Sequence, residues 1–145
     1  MTKVSEFINN KDERDIVEAI KEAELNTSGE VRVHIEHKCD GDPVERAKTV
    51  FEELEMQKTE LSNGVLIYVA IDDHQFAIIG DKGINEVVPK DFWESTRDEI
   101  ISNFKHHHFK NGLVQGILKA GEELKKHFPY KSDDENELSD EISKG

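Results

Sequence analysis

The stretch "NGVLIYVAIDDHQFAIIGD", residues 63–81, decides the fold. Its first part, "NGVLIYVAI", is a continuous apolar run of strand length, the pattern of a central strand covered on both faces. "DDHQ" is turn chemistry, and "FAIIGD" is a short returning strand. So few residues cannot make a crossover, so the two strands are antiparallel. Upstream, "EVRVHIEH" alternates Val31, Val33 and Ile35 with Arg32, His34 and Glu36. That alternation predicts a half-buried strand with His34 on an exposed polar face. Between these strands, "DGDPVERAKTVFEELEMQ" predicts a helix. Pro43 suits its first position, Asp42 the N-cap and Glu45 the capping-box position, with Val44, Ala47, Phe51 and Leu54 inward. A strand–helix–strand unit crosses right-handed, so these two strands are parallel.

Further helices flank this core. In "NNKDERDIVEAIKEAELNTSGE", Ile16, Ala19, Ile20 and Ala23 share a face, Asn10 is a cap, and "NTSG" is a stop. Asp12 and Glu13 suit the positive end of that helix. "VPKDFWESTRDEIISNFKHHH" predicts a helix burying Trp93, Ile100, Ile101 and Phe104. "FKNGLVQGILKAGEELKKHF" predicts another, with Leu113, Ile117, Leu124 and Phe128 inward and Gly116 and Gly121 permitting close packing. Pro129 ends it. The expected architecture is α/β, a three-layer α/β/α sandwich with a small mixed central sheet. The chain divides into an N-terminal arm (1–9), the α/β domain (10–130) and an acidic mobile tail (131–145) with little to bury.

The 145 residues carry a formal net charge of −13, which disfavours nucleic acid and anionic membrane surfaces and favours cations, basic proteins or simple solubility. The single cysteine, Cys39, excludes an internal disulfide and any CxxC zinc site. No apolar segment of signal-peptide or membrane-spanning length occurs, so a cytoplasmic protein without membrane insertion is expected.

Chemistry-bearing residues collect at two sheet edges. Ligands of open α/β sheets gather beyond the carboxyl ends of parallel strands. There, Asp40 and Asp42 follow the first strand, and Asp72 and Asp73 the second. Four carboxylates so placed repel one another unless a cation or protons neutralise them. Oxygen-only donors suit a hard cation, Ca2+ or Mg2+. At the opposite edge, "TSGE", "SNG" and "GDKG" converge, bringing Glu30 and Asp81 together with Asn63 and Ser28 around a cation or a phosphate. Both edges are also explained as turns and caps, and the sequence leaves the choice between them open. The histidines at 106–108 do not share one helix face, so they favour adventitious rather than native metal binding. No GxGxxG, P-loop, GxSxG or HExxH pattern is present.

"AIKEAELNTSGEVRVHI" (19–35), "RAKTVFEELEMQKTELSNGVLIYVAIDDHQFAIIGDKGI" (46–84) and "FKNGLVQGILKAGEELKKHFP" (109–129) together resemble the TPM domain family. That family is named for a thylakoid lumen protein, a photosystem II repair protein and a receptor modulator. The likeness is to its short, free-standing bacterial branch and covers roughly residues 10–129. It rests on "SGE", "NGVLIYVA" and "GDKGI" in the family's order and spacing. The resemblance implies an α/β/α sandwich, divalent-cation binding and, in some members, acid phosphatase activity on small phosphoesters. Other members are accessory factors in membrane-complex repair or receptor assembly. Ser28, Gly29, Glu30, Asn63, Gly64, Gly80, Asp81 and Gly83 match the family's pattern. Asp40, Asp42, Asp72 and Asp73 sit in loops that vary across it. Unlike many members, this chain shows no signal peptide or membrane anchor, and it has no recognisable phosphatase nucleophile motif. The expected function is a divalent-cation-binding, non-catalytic binding or accessory module with an unknown protein partner. The alternative is a metal-dependent acid phosphatase with Asp81 as nucleophile near Glu30.

Overall fold

A computed structural model describes residues 9–25, 27–59, 61–72, 75–105, 109–129 and 142–144. Along these the order is α1 (Asn10–Glu24), β1 (Glu30–Glu36), α2 (Pro43–Glu53), a 3-10 turn (Met56–Lys58), β2 (Gly64–Ala70) and β3 (Gln75–Gly80). Then come α3 (Lys82–Asn85), α4 (Phe92–Lys105), α5 (Phe109–His127) and β4 (Ser143–Lys144). The sheet runs β3-β2-β1-β4. β1 pairs in parallel with β2 and β4, and β2 pairs antiparallel with β3. This is the expected mixed sheet inside an α/β/α sandwich.

The alternation along each strand builds the two covered faces. On one, Val31, Val33 and Ile35 join Val65, Ile67, Val69, Phe76 and Ile78 beneath the apolar faces of α1, α4 and α5. On the other, Leu66, Tyr68, Ala70 and Ala77 meet Ala47, Val50 and Phe51 of α2 and Met56 of the 3-10 turn. β2 is therefore buried along its whole length, as its unbroken apolar run requires.

The glycines of α5 do what their spacing predicts. A Cβ on Gly121 would lie 2.6 Å from Ala23 Cβ, and one on Gly116 would lie 2.5 Å from Ile100 Cδ1. The helix thus approaches α1 at a separation that only a missing side chain allows, while at Gly116 it packs against the end of the Ile100 side chain of α4.

Five local expectations change. Val44, at the first turn of α2, is exposed rather than inward. The N-cap of α1 is Asn9, not Asn10: Asn9 Oδ1 accepts from Asp12 N at 2.8 Å. Asp42 does cap α2, but Glu45 meets Lys48 Nζ at 3.4 Å. β1 is covered on both faces, and His34 is buried rather than exposed, because its ring stacks on Tyr68 and lies between Glu36 and Ser143. In the tail, Ile142 is buried and Ser143 and Lys144 form β4.

Candidate functional site

The amino edge of the sheet is assembled by strand register. Glu30 pairs with Gly64, and Val65 with Gly80, so Asp81 falls beside Gly64 and its N–H donates to Gly64 O at 2.8 Å. Strand alternation puts Glu30, Gly64 and Asp81 in one row on the α2 face of the sheet. The middle member has no side chain, so nothing on β2 stands between the two carboxylates. Glu30 is buried. Asp81 is half-buried: its Oδ1 accepts from Lys82 N at 2.7 Å, which caps α3, and its Oδ2 is buried with no hydrogen-bond partner among the described residues.

Neutral polar groups lie in the turns that adjoin this row. Asn63 is 2 % exposed, and its Nδ2 donates to Ser28 Oγ at 3.4 Å. Asn63 O accepts from Glu30 N at 3.4 Å. Thr59 Oγ1 is buried without a hydrogen-bond partner among the described residues. Ser62 takes a left-handed φ of 51°, and its carbonyl accepts from Gly83 N at 2.7 Å. A Cβ on Gly83 would lie 2.3 Å from Leu61 O, so only glycine lets α3 sit this close. Asn85 ties the far side: its Nδ2 donates to Gly80 O and its Oδ1 accepts from Trp93 Nε1, each at 2.7 Å. At the other end of the row, Thr27 donates to Phe128 O and Ser28 N donates to the same carbonyl at 3.0 Å. The "TSG" turn is thereby fastened to the end of α5. Every residue carried over from the family pattern, from Ser28 to Gly83, lies at this edge.

Beside Asp81 a pocket of about 460 Å³ wraps the outer strand β3. Phe51, Ile78 and Trp93 give it apolar walls, and Lys48, Glu52, Gln57, Asp81 and Asn85 give it polar groups.

The carboxyl edge is more open. Asp40 and Asp42 are exposed, and Asp42 is committed to capping α2. Asp72 is half-buried: its N–H donates to His37 O at 2.8 Å and its Oδ2 lies 3.9 Å from His37 Nδ1. Asp73 and the histidines at 106–108 lie outside the described residues. Among the described residues, no three His, Cys, Asp or Glu side chains come close enough together to hold a metal ion.

Just inside that edge is a polar cluster that the sequence reading missed. Glu36 Oε2 and Oε1 accept from Arg46 Nε and Nη2, both at 2.9 Å, and Oε2 also accepts from the Tyr68 hydroxyl. His34 Nε2 lies 2.9 Å from Glu36 Oε1. Burial alone would raise the Glu36 pKa, but hydrogen bonds from Arg46, Tyr68 and His34 outweigh it and lower the pKa to about 2. Burial, then the bond to Glu36, pushes the Tyr68 hydroxyl far above its ordinary value. The Glu36 bond raises Arg46 still higher. Every strong acceptor and donor here is engaged, which makes the cluster a structural brace. The sequence signal for it was faint: Glu36 is separated from Tyr68 by 32 positions and from Arg46 by 10.

Comparison with known proteins adds the lineage. The chain is similar over its whole length to the BA42 protein of the psychrophilic bacterium Bizionia argentinensis, whose solution structure superposes with a TM-score of 0.90 at 54% identity, covering 100% of both chains. The N-terminal domain of the cg2496 protein from Corynebacterium glutamicum shares the fold (TM-score 0.66, 13% identity, 91% of this chain and 83% of that one). So does the N-terminal domain of a P. gingivalis protein (TM-score 0.60, 17% identity, 90% and 82%). Among curated protein sequences, none matches. The family model described as TPM domain matches residues 1–123. The convergence of "TSGE", "SNG" and "GDKG" on one sheet edge, within a chain that this model matches over most of its length, places the protein in the TPM domain family.

Proposed function

We propose that this TPM domain binds a divalent cation, Ca2+ or Mg2+, at the amino edge of its sheet and works as a non-catalytic binding or accessory module. The observation that supports it is the Asp81 carboxylate. One oxygen caps α3, while the other is buried without a hydrogen-bond partner among the described residues. A buried carboxylate oxygen lacking a donor is costly, and a cation offsets that cost. Glu30 lies across Gly64 on the same face, and Asn63 and Ser28 add neutral oxygens. This all-oxygen set fits a hard ion and excludes a soft one. Two carboxylates rather than three or more point to weak binding, with Kd on the order of 10⁻⁴–10⁻³ M. Asp40, Asp42, Asp72 and Asp73 form the competing set at the carboxyl edge.

A titration separates the edges. Amide chemical shifts and Tm are followed against CaCl2 and MgCl2 at constant ionic strength. Asp81→Asn is expected to abolish the response around residues 28–31, 62–64 and 80–83, while Asp72→Asn leaves it intact. Loss of response in Asp72→Asn alone moves the site to the other edge. No response to either ion at about ten times the expected Kd removes the cation reading.

A second reading rests on the pocket beside Asp81, whose volume of about 460 Å³ admits a small phosphoester. In it, an Asp81 carboxylate oxygen attacks phosphorus as the P–O ester bond breaks and the alcohol leaves, and water then hydrolyses the aspartyl phosphate to free phosphate. Otherwise Asp81 orients water for direct attack with the same leaving group. Lys48 on the pocket wall draws in the anionic group. Hydrolysis of p-nitrophenyl phosphate that disappears in Asp81→Asn, with the fold retained, would favour this enzyme reading. Cation binding without hydrolysis favours the module.

A further inference from the structure

Among the described residues, strand β1 has one side paired along all its length and another covered only in part. Its first residue donates to Asn63 O and its last accepts from Ile71 N, so Glu30, Arg32, His34 and Glu36 turn their main-chain groups toward β2. Val31, Val33 and Ile35 turn theirs to the outer edge. Among the described residues, two devices cover that edge. Glu24 Oε2 accepts from Val31 N at 2.9 Å. Farther along, β4 adds as a parallel strand through two residue pairs, His34 with Ser143 and Ile35 with Lys144.

Each residue from 142 to 144 has its own receptor. Ile142 is 8% exposed and joins the core beneath α1. Ser143 Oγ lies 3.0 Å from His34 Nδ1. Lys144 Nζ lies 2.9 Å from Glu13 Oε1 on α1. An apolar hole, a hydroxyl partner and an anion therefore follow one another along the outer edge of β1. That is the layout by which an extended peptide is read when it adds to a sheet. Among the described residues the holding is short: two residue pairs, against seven between β1 and β2. The surroundings are anionic, with Glu13 and Glu24 on α1 and a net charge of −13 overall, so a basic third residue is favoured over an acidic one.

We propose that the outer edge of β1 is a docking site for an extended peptide of the pattern aliphatic–hydroxyl–basic, and that residues 142–144 are its resident occupant, displaced by a partner segment of that pattern. The edge is separate from the cation site, and the proposal does not depend on it.

The test uses the full chain and a synthetic peptide with the sequence of residues 139–145, followed by amide chemical shifts. Ile142→Asp releases the resident segment. It is expected to shift the amides of residues 33–36 and to bind the peptide about tenfold more tightly than the unmodified chain. A peptide with glutamate in place of its lysine is expected to bind the variant about tenfold more weakly. Lys144→Glu, at an exposed position that cannot unfold the core, changes affinity in the same direction by a smaller factor. Unchanged β1 amides in both variants, or peptide binding no tighter in either than in the unmodified chain, overturns the proposal. A concentration-dependent dimer that perturbs the same amides also overturns it, since the occupant would then be a second copy of the chain.

Discussion

At the residue scale, the strongest commitment is Glu36. Its carboxylate is satisfied by three side chains in a buried position, and the cost of desolvating it is met only while those partners stay. Arg46→Met removes the bidentate partner and leaves the charge behind. The expected loss is roughly 3 kcal/mol, read as a lower midpoint in urea denaturation. The same group gives the chain an acid sensitivity with a defined sign. Its pKa falls from the ordinary 4.5 to about 2 on folding. The resulting stabilisation is complete above about pH 4.5 and is lost as pH falls through about 2. Glu36→Gln should therefore be less stable than the unmodified chain at about pH 6, and the gap should close by about pH 2. A gap that widens on acidification would contradict the assignment.

This cluster also marks where sequence reading reached its limit. Alternation along β1 correctly set Val31, Val33 and Ile35 against the core. It could not say what covers Arg32, His34 and Glu36, because that depends on α2 docking across the sheet. By contrast, the row Glu30–Gly64–Asp81 was half legible. The three turns advertised themselves through Gly, Asn and Asp, and parallel pairing of β1 with β2 brought them to one edge. The buried state of Asp81 Oδ2 was not legible, since it depends on the exact seat of α3.

At the element scale, close approach of helices outweighs helix propensity. Replacing a mid-helix glycine by alanine ordinarily gains about 1 kcal/mol. At Gly121 the added Cβ would meet Ala23 Cβ at 2.6 Å and Ala23 O at 2.9 Å. Gly121→Ala is therefore expected to destabilise by roughly 1–3 kcal/mol, measured by thermal or urea unfolding. The starts of α1 and α2 were readable to within a residue, but α2 stops at Glu53, four residues short of the end its sequence pattern suggested, and α3 was not foreseen. Adjacent Asn9 and Asn10 offer the same capping chemistry, and only the actual bond to Asp12 N separates them. β4 was invisible to pattern reading because two residues have no period.

At the scale of the whole molecule, the net charge of −13 sets an unfavourable self-repulsion that salt relieves. Raising NaCl from about 10 mM to about 200 mM shortens the screening length from about 30 Å to under 10 Å. Tm is expected to rise by a few degrees, corresponding to about 1 kcal/mol. Ca2+ or Mg2+ at matched ionic strength should raise it further if the amino edge binds them, and Asp81→Asn should remove only that increment. No helix among the described residues is long and apolar enough to cross a membrane.

The pairing of His34 with Ser143 joins residues 109 positions apart. Closing so long a loop costs chain entropy that two residue pairs cannot recover until their receptors already exist. β1, β2, α1 and α5 must be assembled before β4 has anywhere to go, so β4 belongs to the downhill side of the folding barrier. In a stopped-flow chevron, Ile142→Ala should leave the refolding limb nearly unmoved and raise the unfolding limb, with φ near 0. The last strand to arrive is then the first to leave, and the protein has a fast local opening well before it has a global one.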